Sequence, residues 1–181
     1  QTHATLLASA AGAIQMHGFG PDSVFLNWFP LDHVAGVVMF HLQPLVLGAH
    51  QLHGTMETVL RRPTVWLDWI DRHRASVTWA PNFAYGQVNE RAEEVARGDW
   101  DLSSMRFILN GGEAIVPRTA RRFMKLLAPH GLPADAMHPG WGMSETCGGV
   151  VFSKSFTLQT TSDDDSFVSL GRPFPGTELR I

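Results

Sequence analysis

Between His138 and Thr146 the chain reads His-Pro-Gly-Trp-Gly-Met-Ser-Glu-Thr, which sets an aromatic ring, a hydroxyl and a carboxylate close together beside two glycines. An aromatic face stacks on a purine, a hydroxyl reaches a phosphate oxygen and a carboxylate holds Mg²⁺. Trp141, Gly142, Met143, Ser144 and Glu145 therefore read as part of an ATP site, against the plainer reading of a tight turn with a half-exposed tryptophan. Ser144 lacks the glycine two residues later that a nucleophile elbow requires, which argues against a serine hydrolase.

A second group, Asn110-Gly111-Gly112-Glu113, lies upstream. Paired glycines after a strand let backbone approach a flat ring or a ribose. The plainer alternative is a strand-to-helix turn, with Glu113 near the N-terminal end of the following helix. A third group is Pro30 to Gly36, where His33 opens an apolar segment. It either lines a carboxylate pocket or is a core histidine held by backbone bonds. His50 and His53 have no third ligand at suitable spacing and read as surface residues. Arg118, Arg121, Arg122 and Lys125 share one helix face, which is either solvated or docks an acidic partner. Asp163 to Asp165 lacks the glycine and distal glutamate of a calcium loop and reads as a solvated loop.

The elements that must carry these groups alternate. Leu7, Ala10, Ala11 and Ile14 fall at helical spacing, so the first fifteen residues predict an amphipathic helix. Strands are expected at 23–28, 45–52, 75–79, 105–109 and 136–138, with 34–42 a buried helix or turn. Helices are expected around Trp66 to His73, with Pro63 just inside the start, then after Asn82 as N-cap, with Tyr85, Val88, Ala92 and Val95 on one face. A further helix opens at Pro117, bears the stripe Ala120, Phe123, Met124 and Leu127, and ends at His130-Gly131. From there the pattern turns to β, at 150–152, 167–170 and 178–181. Strands alternating with helices predict an α/β fold with a largely parallel sheet flanked by helices and a β-rich C-terminal part. Both glycine turns then fall just beyond strand ends, where such sheets bind ligands.

Composition bounds the rest. The 181 residues, 44 % hydrophobic and 17 % charged, suffice for one folded core. A net charge of −3 gives no reason to expect nucleic acid or an anionic membrane as partner. The longest apolar run, Val34 to Phe40, is far short of the ~20 residues of a membrane helix. The single cysteine, Cys147, excludes an internal disulfide and suits a reducing, cytoplasmic compartment. The chain opens on Gln1 and stops on Ile181 in a strand-like stretch, so we expect a piece of a longer protein.

Taken in order, these motifs resemble the adenylate-forming superfamily of acyl-CoA synthetases, luciferases and peptide synthetase adenylation domains. Asn27-Trp28-Phe29-Pro30-Leu31-Asp32-His33 resembles its Pro-Leu…His segment, Asn110 to Glu113 its Gly-Gly-Glu turn, and Gly140 to Glu145 its Gly-Tyr-Gly-Met-Thr-Glu motif. Leu170-Gly171-Arg172-Pro173-Phe174-Pro175-Gly176 resembles the Gly-Lys/Arg-Pro-x-Pro-Gly turn that follows. Ala80-Pro81-Asn82-Phe83-Ala84-Tyr85 is similar to a segment of fatty acyl-AMP ligases, and the chain looks like the adenylation domains of polyketide synthase and hybrid peptide synthetase assembly lines.

The resemblance implies that Trp141 stacks on adenine, Ser144 touches the α-phosphate and Glu145 ligates Mg²⁺. Asn110, Gly111, Gly112 and Glu113, with Gly142 and Met143, would line the nucleotide. His33 would sit by the reacting carboxylate, and Asn82 and Phe83 near the acyl pocket. It implies ATP and Mg²⁺ as cofactors, a carboxylic acid, most of all a fatty acid, as substrate, and a carrier-protein phosphopantetheine thiol as acceptor. Coenzyme A is the alternative acceptor, and an inactive structural subdomain the alternative role. Trp141 replaces the family's tyrosine and Ser144 its threonine, keeping the π-face and the hydroxyl. The family's phosphate loop would precede a segment like Gln1-Thr2-His3, and its ribose-binding aspartate, hinge and catalytic lysine would follow Ile181. Residues 1–181 are thus expected to be the central part of the larger, N-terminal domain, with 1–148 its α/β portion and 149–181 the start of a β-rich portion; by itself the piece would be inactive.

Overall fold

The computed structural model describes residues 1–180; Ile181 lies outside the described residues. Seven strands form one sheet: β1 (Val24–Asn27), β2 (His50–His53), β3 (Val77–Ala80), β4 (Phe107–Asn110), β5 (Met137–Met143), β6 (Gly148–Phe152) and β7 (Arg172–Pro173). Their spatial order is β2-β1-β3-β4-β5-β6-β7. The first five are parallel, and β6 and β7 run antiparallel. The helices are α1 (His3–His17), α2 (Gln43–Leu47), α3 (Met56–Arg61), α4 (Val65–His73), α5 (Asn82–Asn89), α6 (Ala92–Arg97) and α7 (Pro117–Leu127). The expected α/β class and largely parallel sheet flanked by helices are present, and toward the C-terminus β6 and β7 pair antiparallel.

Strand alternation builds two cores. Leu26, Ala80 and Ile108 face α4, α5 and α7, where Trp66, Tyr85 and Phe123 are fully buried. Phe25, Trp79, Phe107 and Leu109 face the opposite way, toward Ala35, Met39 and Phe40. Trp66 Nε1–H donates to Thr78 Oγ1 at 3.1 Å, and Thr78 Oγ1–H donates to the Leu26 carbonyl at 3.0 Å, which pairs these two buried groups beneath the sheet.

Several boundaries differ from the sequence expectation, each for a local reason. Residues 45–52 are not one strand: α2 takes the first part, with Pro44 in its first turn and Gly48 closing it at φ 63, and only His50–His53 pairs. Pro fits a helix start, and the left-handed cap residue ends the helix. Residues 35–42 form a π-helix that passes into α2 just before Pro44, whose missing N–H interrupts any regular ladder. In α1 the buried face is Ala10, Gly12 and Ala13, and Leu7 is exposed. The Phe174 ring lies against Gly12 where a side chain would go, so small residues set that face. Pro63 precedes α4 rather than opening it, and the face from Tyr85 to Val95 is split between α5 and α6. Residues 167–170 and 178–180 form no strand; Ile181, the last residue of the second expected strand, is outside the described residues.

The basic face of α7 is not simply solvated. Arg121, its side chain almost enclosed, binds the Asp163 carboxylate, the Leu158 and Thr161 carbonyls and the Thr161 hydroxyl. Lys125 adds a contact of 3.3 Å to Asp163, and Arg118 one of 3.5 Å to Asp164. The partner of this face is the chain's own acidic loop. Arg121 and Lys125 hold the Asp163 carboxyl below the usual carboxylate range.

At the opposite end of the sheet, His17 is packed among Phe19, Phe107 and Phe152, and neither of its ring nitrogens has a partner among the described residues. Burial first, then the neighbouring His138 and Lys154, lower its pKa from 6.5 to about 3. Burial lowers His138 as well. An unfolded chain therefore takes up protons below pH 6.5 that folded His17 refuses until about pH 3. Stability falls through that window by about 1.4 kcal/mol per pH unit for His17 alone. His17→Phe is expected to remove most of this slope, moving the acid-unfolding midpoint, followed by circular dichroism, to lower pH; an unchanged midpoint would show that His17 is not the group that titrates.

Candidate functional site

The carboxyl ends of β1, β3, β4 and β5 converge on one edge of the sheet, next to the point where the strand order reverses between β1 and β3. Open α/β sheets bind ligands there because the loops after adjacent strands diverge and leave a crevice. Two cavities occupy this edge. The smaller, about 50 Å³, is bounded by His33, Met39, Trp79, Leu109 and a series of glycines, including Gly111, Gly140 and Gly149. The larger, about 710 Å³, lies between Glu113 to Pro117 on one side and Asp165 to Val168 on the other. Gly112, Gly140, Trp141 and Gly142 border both, so the cavities meet along one stretch of backbone.

That stretch is strand, not turn. β5 runs on through Gly140-Trp141-Gly142-Met143 and pairs with β6, with a register shift between Trp141 and Gly142. The turn follows as a single 3₁₀ turn, Ser144–Thr146, closed by Cys147 at φ 62. The Thr146 hydroxyl fixes it, accepting from Met143 N–H at 3.0 Å. Trp141 is 40 % exposed. Ser144 and Glu145 are exposed at the strand's end, and no hydrogen bond among the described residues engages the Ser144 hydroxyl or the Glu145 carboxylate.

His33 is carried by the loop after β1. Its ring stacks on Trp79 at 5.3 Å, and its Nδ1 accepts the Ala35 N–H at 3.2 Å. That bond leaves Nε2 as the N–H donor. Beneath it, buried Asn27 ties β1 to β3: its Oδ1 accepts from Trp79 Nε1–H at 2.9 Å and from Phe29 N–H at 3.2 Å, and its Nδ2 donates to the Phe29 carbonyl at 2.8 Å. Asn27 thus sets both the Trp79 plane and the course of the loop toward His33.

The expected site residues separate into three groups. His33, Gly111, Gly112, Glu113, Trp141 and Gly142 line one or both cavities. Met143 closes the strand, Ser144 and Glu145 follow it, and none of the three borders either cavity. Asn82, Phe83 and Asn110 also border neither, for separate reasons. Asn82 is not an N-cap: Pro81 holds that position, and Asn82 Oδ1 accepts the Val116 N–H at 3.1 Å. Glu113 reaches back to the preceding helix, accepting the Phe83 N–H at 2.6 Å at the start of α5 rather than meeting α7. Asn110 shares a face of β4 with Ile108 and is wholly enclosed, its amide unpartnered.

Trp79, Met39, Leu109 and the Gly148-Gly149 pair were not foreseen in the site. Trp79 and Leu109 are indistinguishable from strand core in sequence. Met39 reaches the smaller cavity from the π-helix, its sulfur accepting the Gly149 N–H at 3.3 Å. Gly148-Gly149, by contrast, was a visible pair two residues after the Trp-Gly-Met-Ser-Glu motif. His50 and His53 remain surface residues, and no group of three or more metal-ligating side chains occurs among the described residues.

Asn27→Ala is expected to lower stability by about 2–3 kcal/mol, because two buried donors lose their acceptor. The urea-unfolding midpoint measures this, and no change would mean that water replaces the Asn27 carbonyl oxygen.

Comparison with known proteins agrees with this geometry. The family of AMP-binding enzymes matches residues 1–181. A nonribosomal peptide synthetase, acyN of Ascocoryne sarcoides, is 38 % identical over 99 % of this chain, which spans 20 % of that relative's length. Among solved structures, the adenylation domain of a keto acid-selecting peptide synthetase module, bound to keto acyl adenylate, is 38 % identical with a TM-score of 0.92; the match covers 97 % of this chain and 36 % of that one. The McyG adenylation and carrier-protein pair, in complex with phenylalanyl-adenylate, is 40 % identical with a TM-score of 0.95, covering 97 % and 28 %. A fatty acyl-adenylate ligase from L. pneumophila, in complex with acyl adenylate and pyrophosphate, is 25 % identical with a TM-score of 0.79, covering 83 % and 27 %. The chain belongs to the AMP-binding enzyme family.

Proposed function

We propose that this member of the AMP-binding enzyme family is the central part of the larger domain of an acid-activating ligase, with residues 1–148 its α/β portion and 149–181 the start of a β-rich portion. The larger cavity takes the nucleotide of ATP and the smaller one the acid. The observation that carries this reading is the shared wall: Gly112, Gly140, Trp141 and Gly142 border both cavities, so two ligands seated there meet with their reacting ends adjacent. Holding two reactants in this way removes much of the entropic barrier to a bimolecular step.

In the reaction, an oxygen of the substrate carboxylate forms a bond to the α-phosphorus of ATP. The bond from that phosphorus to the bridging oxygen breaks, and pyrophosphate leaves. Trp141 offers its exposed face to the purine, and the glycine backbone beside it permits close approach. The Ser144 hydroxyl donates to an α-phosphate oxygen, and His33 Nε2–H faces the carboxylate and the charge developing beside it. Glu145, exposed and without a side-chain partner among the described residues, is a hard oxygen ligand suited to Mg²⁺. Mg²⁺ when bound neutralises phosphate charge and assists departure of the leaving oxygen. The acyl-adenylate then yields its acyl group to a phosphopantetheine thiol on a carrier protein, with AMP leaving.

The smaller cavity narrows the acid. Its lining holds no carboxylate, and His33 is its single titratable side chain. An α-ammonium there would lose its hydration without gaining a counter-ion. A volume of about 50 Å³, where ~10–15 Å³ of the same measure holds one water, favours a compact acid over a long fatty chain. A compact acid without an α-ammonium, such as a 2-oxo acid, fits best, in keeping with the keto acid-selecting structural neighbour.

ATP–pyrophosphate exchange by the full-length protein tests this. Exchange is expected with a 2-oxo acid and not with the matching amino acid or a long-chain fatty acid. Exchange driven best by phenylalanine would overturn the substrate assignment, and none with any acid would point to a structural role. Glu145→Ala is expected to slow exchange by about 100-fold or more, and Trp141→Ala to raise the KM for ATP.

A further inference from the structure

Phe167 is 89 % exposed, far more than any other large apolar residue of the chain for which exposure is described. It is not a loose end. The strap that carries it, residues 163–170, is pinned on one side at Asp163 by Arg121 and Lys125. On the other, Val168 packs on the first core and Leu170 on the second. The backbone on both sides of the ring is therefore fixed, and Phe167 and Trp141 both line the larger cavity. Among the described residues neither ring is paired with another aromatic side chain. Water is a poor surrounding for a phenyl face, so whatever fills the cavity gains by covering it.

We propose that Phe167 is a second aromatic wall of the nucleotide site, covering the purine base that stacks on Trp141. This rests on the assignment of the larger cavity to ATP. A purine offers two π-faces and an apolar edge, and the cavity is lined by one half-exposed indole and one exposed phenyl group. Asp163, by holding the strap on α7, acts as a positioning residue for the ring. Phe167 makes no buried contact of its own, so truncating it leaves the fold intact.

The test uses the full-length protein, with the KM values for ATP and for the acid read from ATP–pyrophosphate exchange and thermal unfolding as the check on folding. Phe167→Ala is expected to raise the KM for ATP about tenfold, within the range of one lost base–aromatic stack, with the KM for the acid and the melting temperature unchanged. Phe167→Trp is expected to restore the ATP value. Trp141→Ala is the reference. If Trp141→Ala raises the KM for ATP and Phe167→Ala does not, the second wall is refuted while the nucleotide site stands. If neither moves it, the assignment of the cavity to ATP fails and this proposal with it. A fall in kcat alone, at constant KM for ATP, would assign Phe167 to contact with another part of the protein and refute the stacking role.

Discussion

The edge of the sheet that carries the site exists because backbone passes backbone with no side chain between. A methyl group on Gly142 would collide with the Gly148 carbonyl, and one on Gly111 would lie 2.7 Å from the Gly140 carbonyl oxygen. The first approach seats β6 against β5 beyond the register shift, which leaves Trp141 standing out from the strand. The second brings the β4 turn against β5. Gly148, at φ 98, allows the chain to reverse after the 3₁₀ turn at the spacing this packing needs. Without these close approaches the two cavities would not share a wall, and the groups on either side would be separated by a layer of side chains.

Much of this was legible in the sequence where chemistry and local pattern agree. The helical stripe Ala120, Phe123, Met124 and Leu127 is buried as its spacing requires, and Gly111-Gly112 does follow a strand, whereas Gly140 and Gly142, expected beyond a strand end, lie within β5. What the pattern missed was set by partners distant in sequence. Asn82 has the chemistry of a cap, yet the Val116 N–H is the donor it meets. Glu113 looked toward the helix after it and binds the helix before it. The run 45–52 is equally apolar as helix or strand, and its conformation is decided by Pro44 and Gly48, which the periodicity does not weigh.

The acidic stretch at 163–165 shows the same limit from the electrostatic side. Three aspartates in a row and a basic helix face are each most simply read as solvated. They lie about forty residues apart, and nothing in either pattern specifies that they meet. Once the chain crosses the sheet after β6, with Phe156 and Leu158 packing on the first core, the acidic loop is delivered to α7. Arg121 then gives up most of its hydration in exchange for a carboxylate, two carbonyls and a hydroxyl, which is the completeness of pairing that a buried guanidinium requires.

The two cross-ties between α5 and the loop after β4 bear on how such a protein can be recombined. Asn82 holds the Val116 N–H and Glu113 holds the Phe83 N–H, so each segment supplies the acceptor for the other's backbone donor. The junctions after β3 and after β4 are thereby locked as one piece. A chimaera whose crossover falls between residues 83 and 113 would join segments from different parents and orphan both donors at once unless both acceptors were kept. Segments exchanged here must therefore travel as a single block from the end of β3 to the start of α7, a block that includes α5, α6 and β4, whose Leu109 lines the smaller cavity.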